Sequence, residues 1–262
     1  MIIQSFFFWK KRKKWYTIQG FMKKFERLLK GHKSIVFLDF EGTQFSHEMI
    51  AIGALHAVID RHGYIKKSKK PFKVYVKAHN RVGKIVTDLT GITDEMLKAK
   101  GVSFYTAMSE LKKYVGLSFR KSSFVTFGNH DMKILSSSIS YSFDFPKEIV
   151  QSIQHNYIDF SAFISEFMRD DKGNPLSLLR YCDAFGVPQA QPAHDPAADA
   201  ENLAWLYDAT MRKSNLLLEE YKKVLKTFNH FPVPVASVLK RLANNENVTY
   251  QEFEEEIKKY LE

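Results

Sequence analysis

The chain of 262 residues has one cysteine, Cys182, which excludes an internal disulfide and any cluster of metal-binding thiolates. Cys182 falls in the apolar helical pattern Leu178-Leu179-Arg180-Tyr181-Cys182, so it reads as a core thiol, and a reducing cytoplasm is the expected compartment. Internal repeats are lacking, and low complexity is confined to short basic runs. The aromatic-rich opening Phe6-Phe7-Phe8-Trp9 is too short to cross a bilayer, which takes about 20 apolar residues. Its charges, Lys10-Lys11-Arg12-Lys13-Lys14, follow the apolar run instead of preceding it, the reverse of a secretory signal. No transmembrane segment is expected.

Acids are scarce at one end. Residues 1–33 hold ten Lys/Arg and one acid, Glu26, while the whole chain carries a net charge of +10. The remaining 229 residues are therefore nearly neutral, and the basic character belongs to an N-terminal arm. An arm of this kind suits nucleic-acid phosphates or an interfacial membrane anchor; the plainer reading is a solvated tail with a few aromatics docked on the body. The whole chain, 45% apolar and 26% charged, has the composition of an ordinary globular protein long enough to bury a full core.

Apolar residues Phe21, Met22, Phe25, Leu28 and Leu29 share helical spacing and lead to Gly31, a C-cap. Strands are expected at 34–40, 49–60, 72–77, 123–127 and 156–159. The polar stretch between the second and third contains Lys66-Lys67-Ser68-Lys69-Lys70, read as a solvated hairpin tip or a phosphate contact. Helices are expected at 93–97, 104–117, 132–141, 160–168, 176–185 and 197–207. Three strands followed by alternating helices and strands indicate an α/β fold around a mixed sheet. From Ser214 the pattern is helical only, interrupted at Phe231-Pro232-Val233-Pro234, and Thr249-Tyr250-Gln251-Glu252 has the form of a capping box. The expected division is an arm at 1–33, a main domain at 34–213 and a helical extension at 214–262.

Four segments place an acid or a histidine where chemistry with a hard cation would want one. Asp39 and Glu41 follow the apolar run Ile35-Val36-Phe37-Leu38 and, two apart on a strand, project from one face. Asp131 lies just beyond Phe124-Val125-Thr126-Phe127-Gly128. His194 precedes a helix that Asp195-Pro196 would open as cap and first residue, and Asp199 falls in its first turn. Singly, each has a plain role: surface acids, helix caps, a loop histidine, an acid favoured by the helix dipole. Clustered, the carboxylates repel unless a cation neutralises them.

The blocks LDFEGT (38–43), FGNHDMKIL (127–135) and HDPAADAENLAWL (194–206) occur in order, with LTGITDEML (89–97) between the first two. In this the chain resembles the DEDDh, or DnaQ-like, family of 3′–5′ exonucleases over roughly residues 34–210. The resemblance implies an RNase H-like fold with a central five-stranded mixed sheet flanked by helices. It further implies that Asp39, Glu41, Asp131 and Asp199 hold two Mg²⁺ or Mn²⁺ ions and that His194 is the general base. Carboxylate oxygens suit those ions and not zinc, and an imidazole can take a proton near neutral pH.

The family's residues around the first block line the pocket for the terminal nucleotide, which places Phe40, Gly42 and Thr43 at the substrate. Phe45 and Phe127 join Phe40 as candidates for base stacking. The DFEGT and FGNHD forms look more like the exoribonuclease branches, KapD-like and histone-mRNA type, than the proofreading subunits. The substrate implied is single-stranded nucleic acid, RNA before DNA. A DNA exonuclease and a non-catalytic binding module of the same fold are the alternatives, the second disfavoured because no metal carboxylate is missing. His47 and His79 lack a partner at ligand spacing, and His130, which faces apart from adjacent Asp131 on a helix, reads as a structural or substrate-facing neighbour.

Overall fold

The computed structural model describes residues 23–192, 194–226 and 231–261. The basic arm up to Met22 lies outside the described residues, as does the Phe21-Met22 start of the first expected helix. Helical residues 23–28 (α1) precede β1 (Ser34–Gly42), β2 (Met49–Ile59), β3 (Ile65–Ser68) and β4 (Phe72–Tyr75). Then come α2 (Lys84–Thr90), α3 (Asp94–Lys100), α4 (Phe104–Val115), β5 (Ser122–Thr126), α5 (His130–Tyr141) and α6 (Lys147–His155). The chain continues through β6 (Tyr157–Asp159), α7 (Phe160–Ile164), α8 (Leu178–Ala184), α9 (Pro196–Arg212), α10 (Ser214–Lys226), α11 (Val233–Ala243) and α12 (Tyr250–Leu261).

The sheet is five strands across, in the order β3-β2-β1-β5-β6, and β4 shares the β3 edge by also pairing with β2. β1 runs antiparallel to β2 and parallel to β5, and β5 is parallel to β6, so the sheet is mixed as expected. Six strands arise because the basic stretch read as a hairpin tip contains one, β3, in line with β4 along the same edge. β2 is buried at almost every position, which explains its near-continuous apolar run: a central strand covered on both faces has no polar side.

Alternation along β1 divides the core. Ile35 and Phe37 face a layer that includes α1, α7, α8 and α9, whereas Val36, Leu38 and Phe40 face α4, α5 and α6. α4 shows why such helices form: Ser103 caps its start by accepting from Thr106 N, Gly116 ends it at φ 86°, and Phe104, Ala107, Met108, Leu111 and Val115 make one buried stripe. α1 is held by Phe25 and Leu29, each buried and worth roughly 1.5–3 kcal/mol. The Phe25 ring meets Phe163 edge-on at 4.8 Å and Tyr207 at 5.4 Å. The capping box at α12 forms, with Thr249 N donating to Glu252 Oε2 at 2.7 Å and Glu252 N to Thr249 Oγ1 at 3.3 Å.

One polar side chain sits deep in β2. His56 is buried; its Nε2 lies 2.8 Å from Ser34 Oγ, and its Nδ1 has no hydrogen-bond partner among the described residues. Burial, with Lys69 and Lys67 nearby, pushes its pKa down to about 4. The folded value lies below the unfolded one, so neutral His56 contributes stability above about pH 6.5 and loses it as pH falls toward 4. Urea unfolding at stepped pH should therefore show wild type losing stability relative to His56→Asn below pH 6.5, by at most about 1.4 kcal/mol per pH unit. Parallel curves for the two proteins would mean that His56 does not titrate on unfolding.

Candidate active site

Asp39 and Glu41 project from the β1 face that packs on α9. The β1–β2 register shifts between Glu41 and Gly42, a bulge that bends the strand end and re-aims its side chains. Asp131 stands in the first turn of α5, whose N-cap Asn129 makes no side-chain cap bond. The Asp131 carboxylate accepts from Phe40 N at 2.7 Å. That bond ties the acid to the strand that carries the first pair.

Asp199 reaches the same place because α9 lands on a glycine. Across the sheet, Gly53 of β2 stands opposite Asp39 on one side and Lys73 of β4 on the other. A Cβ built on Gly53 would lie 1.9 Å from Pro196 O and 2.6 Å from Ala197 N; only the absent side chain lets the helix start touch the sheet. Asp195 caps α9, accepting from Ala197 N at 2.9 Å and Ala198 N at 3.3 Å, and its other oxygen meets Lys73 Nζ at 2.5 Å. Asp199 follows in the first turn and accepts from Asn202 Nδ2 at 3.3 Å. His194, just before the cap, is exposed and has φ 58°, a left-handed conformation that histidine tolerates better than most residues.

The electrostatics show that the acids feel one another. Burial raises the Asp39 pKa well above the usual carboxylate range, and Asp131, Glu41 and Asp199 add to it. Glu41 is pushed up to about 7 by burial, then by Asp199 and Asp131, with Lys73 opposing. Asp131 rises to about 7 through burial despite its backbone bonds, and Asp199 rises through burial, with His194 pulling the other way. For Lys73 burial opposes the charge, but its bond to Asp195 outweighs that and holds it above its ordinary value. The lysine is thus already committed to the cap of α9.

A family model described as exonuclease, of the RNase T type, matches residues 36–207. The chain belongs to the exonuclease family. No protein among curated sequences matches it. Among solved structures, the nuclease domain of 3′hExo, a DEDDh family member bound to rAMP, is 19% identical with a TM-score of 0.56, over 69% of this chain and 92% of that one. The cell-death related nuclease CRN-4 is 20% identical with a TM-score of 0.54, over 69% and 64% of the two chains. Exonuclease I of E. coli, in complex with a dT13 oligonucleotide, is 17% identical with a TM-score of 0.54, over 74% and 44%. The fold of this exonuclease is theirs, an RNase H-like α/β fold with a mixed sheet between helices.

Exonucleases of this fold use divalent metal ions, and the donor set here fits them in chemistry. Beyond burial, Asp131 of α5 and Asp199 of α9 both raise the pKa values of Asp39 and Glu41 on β1, while Lys73 is committed to Asp195; a divalent cation would relieve the repulsion. No three acid or histidine side chains among the described residues converge as a finished ion site. Hard cations retain waters and take ligands from a bound phosphate as well, so an incomplete shell of protein ligands is compatible with such ions.

Two of the three residues expected at the substrate, Phe40 and Thr43, have buried side chains. The Phe40 side chain is buried in the core between β1 and α5, because alternation turns it away from Asp39; only its N–H serves the site. Thr43 is buried too, with Oγ1 2.6 Å from Ser46 Oγ and accepting from Glu48 N at 3.0 Å, so it shapes the β1–β2 loop. Gly42 makes room for Ile134 of α5, whose Cγ1 would lie 2.9 Å from an added Cβ. Phe127 packs on the core beside Tyr181. Phe45, in the same loop as Thr43, is instead 83% exposed.

Sequence reasoning passed over the groups that brace this exonuclease's site. Buried Glu48 accepts from His79 N and Asn80 N at 2.8 and 2.9 Å; burial works against its charge, yet these bonds hold its pKa below the ordinary value. They pin the β1–β2 loop to the segment after β4. The His47 and His130 rings meet edge-on at 5.2 Å, beside Asp131 and that loop. Only Glu48, an acid just before an almost wholly apolar strand, carried a readable hint.

Because burial first and the neighbouring acids second disfavour a charge on Asp39, Asp39→Asn should melt several degrees higher than wild type in metal-free buffer near pH 8. It should also lose most of the rise in Tm that Mn²⁺ gives wild type, since a ligand stabilises in proportion to its binding of the folded state. An unchanged Mn²⁺ response in Asp39→Asn, read by calorimetry, would remove Asp39 from the metal site.

Proposed function

We propose that this exonuclease removes nucleotides from the 3′ end of single-stranded nucleic acid, RNA in preference to DNA. Asp39, Glu41, Asp131 and Asp199 would hold two divalent cations of the Mg²⁺ or Mn²⁺ type, and His194 would be the general base. The observation that carries this reading is the burial of Asp39 and Glu41 on β1, which raises their carboxylate pKa values first, with the charges of Asp131 on α5 and Asp199 on α9 adding to the rise. When bound, two such ions neutralise the phosphodiester and the oxygens that attack and leave.

The chain's own groups do the rest. His194 stands at the solvent side of Asp199 and accepts a proton at an imidazole nitrogen from the attacking water; the neighbouring carboxylate favours the imidazolium that results. The water oxygen bonds to phosphorus as the bond from phosphorus to the 3′ oxygen of the preceding nucleotide breaks; that 3′ oxygen takes a proton from solvent, releasing a nucleoside 5′-monophosphate and a strand shorter by one. Lys73 and Gly53 fix the start of α9, and so the position of Asp199 relative to Asp39. Exposed Phe45 offers a ring face to a terminal base, a contact worth about 1–3 kcal/mol.

The preference for RNA is supported by the DFEGT and FGNHD forms and by the rAMP bound in 3′hExo; the dT13 bound in E. coli exonuclease I supports the DNA alternative. The compartment proposed is the cytoplasm, and among the described residues no helix is long and apolar enough to cross a membrane. The basic arm would add phosphate contacts. Its removal should then lower the salt dependence of binding, whereas loss of anionic-vesicle binding alone would assign it to a membrane surface.

Digestion of matched RNA and DNA oligomers, with Mg²⁺ and with chelator, tests the reading. Single-nucleotide shortening from the 3′ end, faster on RNA and abolished by chelation, is expected; internal cuts or chelator-resistant turnover would contradict it. Alanine at Asp39, Glu41, Asp131 or Asp199 should abolish turnover, and His194→Ala should slow it by about 10²–10⁴-fold. Phe45→Ala should raise KM by about tenfold with kcat little changed. A His194→Ala enzyme with the wild-type rate would remove the histidine from the base role.

A further inference from the structure

Away from the acids, two segments contain no acidic residue at all. Residues 61–73 hold six Lys/Arg, and residues 111–123 hold four. The fold joins them. Lys69 Nζ donates to the carbonyls of Tyr114 and Val115 at the end of α4, and Tyr114 Oη donates to Lys70 O at 2.9 Å. Around this junction Lys66, Lys67 and Lys70 from the β3 edge stand exposed, as do Lys112, Lys113 and Lys121 from α4 and the turn at Phe119–Lys121. None of the six makes an ion pair among the described residues. In a body whose residues beyond the arm are nearly neutral, such segregation of one sign is a field that attracts polyanions.

The edge strand connects this surface to the catalytic row. Lys67 stands opposite Val58 of β2, and Lys73, like Asp39, stands opposite Gly53. Five residues of strand separate the two positions, about 17 Å. Phosphates along one stacked strand are about 3.4 Å apart, so a strand held by its 3′ end would reach the lysines after about five nucleotides. An anionic membrane fits less well, because interfacial binding needs an apolar face beside the charges. Here the apolar stripe of α4 is buried, Ile65 packs on the core, and Leu117 projects from the turn after α4.

We infer that the lysine surface formed by β3, the end of α4 and the following turn is a second nucleic-acid contact, binding the substrate strand upstream of its 3′ end. It rests on the reading of the acid cluster as the hydrolytic centre, and it makes the enzyme favour longer strands. Lys69 is excluded from the test because it closes the end of α4. The variant replaces Lys66, Lys67, Lys70, Lys112 and Lys113 by Gln, in the full chain with its arm intact, so that the arm contributes equally to both proteins.

Fluorescence anisotropy with a labelled tetranucleotide and an oligomer of about 20 nucleotides, in chelator, reads binding without hydrolysis. The variant should bind the long oligomer at least about tenfold more weakly at low salt, with the slope of log K against log salt reduced by about 0.7 for each phosphate released. Tetranucleotide binding, and kcat at saturation, should be unchanged. Equal affinity and equal slope for both proteins on the long oligomer would overturn the contact. So would loss of anionic-vesicle binding with oligomer binding retained. Wild type that binds the long oligomer through these lysines but hydrolyses nothing would sink the catalytic reading and leave the contact standing.

Discussion

The absence of a side chain at Gly53 is the constraint on which the site depends. Three of the four acids could be brought together by β1 and the helix that follows β5, but the fourth arrives on α9, a helix more than sixty residues later in the chain. It reaches Asp39 only because the carbonyl of Pro196 occupies the space where a Cβ would stand. The row Lys73, Gly53, Asp39 across three strands then does two jobs. Gly53 admits the helix start, and Lys73 fastens it through Asp195, leaving Asp199 aimed at the acids of β1.

The same arrangement explains the electrostatic strain. Asp39 and Glu41 would be ordinary acids at a strand end if α5 and α9 packed elsewhere. Packing buries them and adds Asp131 and Asp199, so their protonated forms are favoured until a cation is present. Stability is given up at the site and supplied by the apolar layers on either side of the sheet, which is the usual relation between a functional constellation and its scaffold. The lysines of β3 and α4 lie beyond that burial, where charge is solvated and free to meet phosphate.

Much of this was legible in the residues. Period-two alternation in Ile35–Glu41 put Asp39 and Glu41 on one face, and Asp195-Pro196 announced the start of α9 through elementary capping chemistry. The family blocks carried the fold. What the sequence concealed is long-range. Nothing local marks Gly53 as the place where a distant helix touches down, and the pleat turns the side chain of Phe40, between two site acids, into the core. α2 buries no residue and so offered no apolar period. α6 did carry one in Ile149, Val150 and Ile153, a face short enough to pass for a loop. β3 was hidden by its lysines, which suit an unpaired sheet edge as well as a turn.

The central claim is that close approach at Gly53 assembles the hydrolytic centre, and Gly53→Ala tests it most directly. The added methyl must push the start of α9 away by about 1 Å or more, a displacement that typically costs on the order of 10²-fold in rate. Turnover of a single-stranded oligomer should therefore fall by at least about 10²-fold in protein that still unfolds cooperatively, with kcat affected more than KM. A Gly53→Ala enzyme that turns over like wild type would show that the site does not depend on this contact, and would contradict the account.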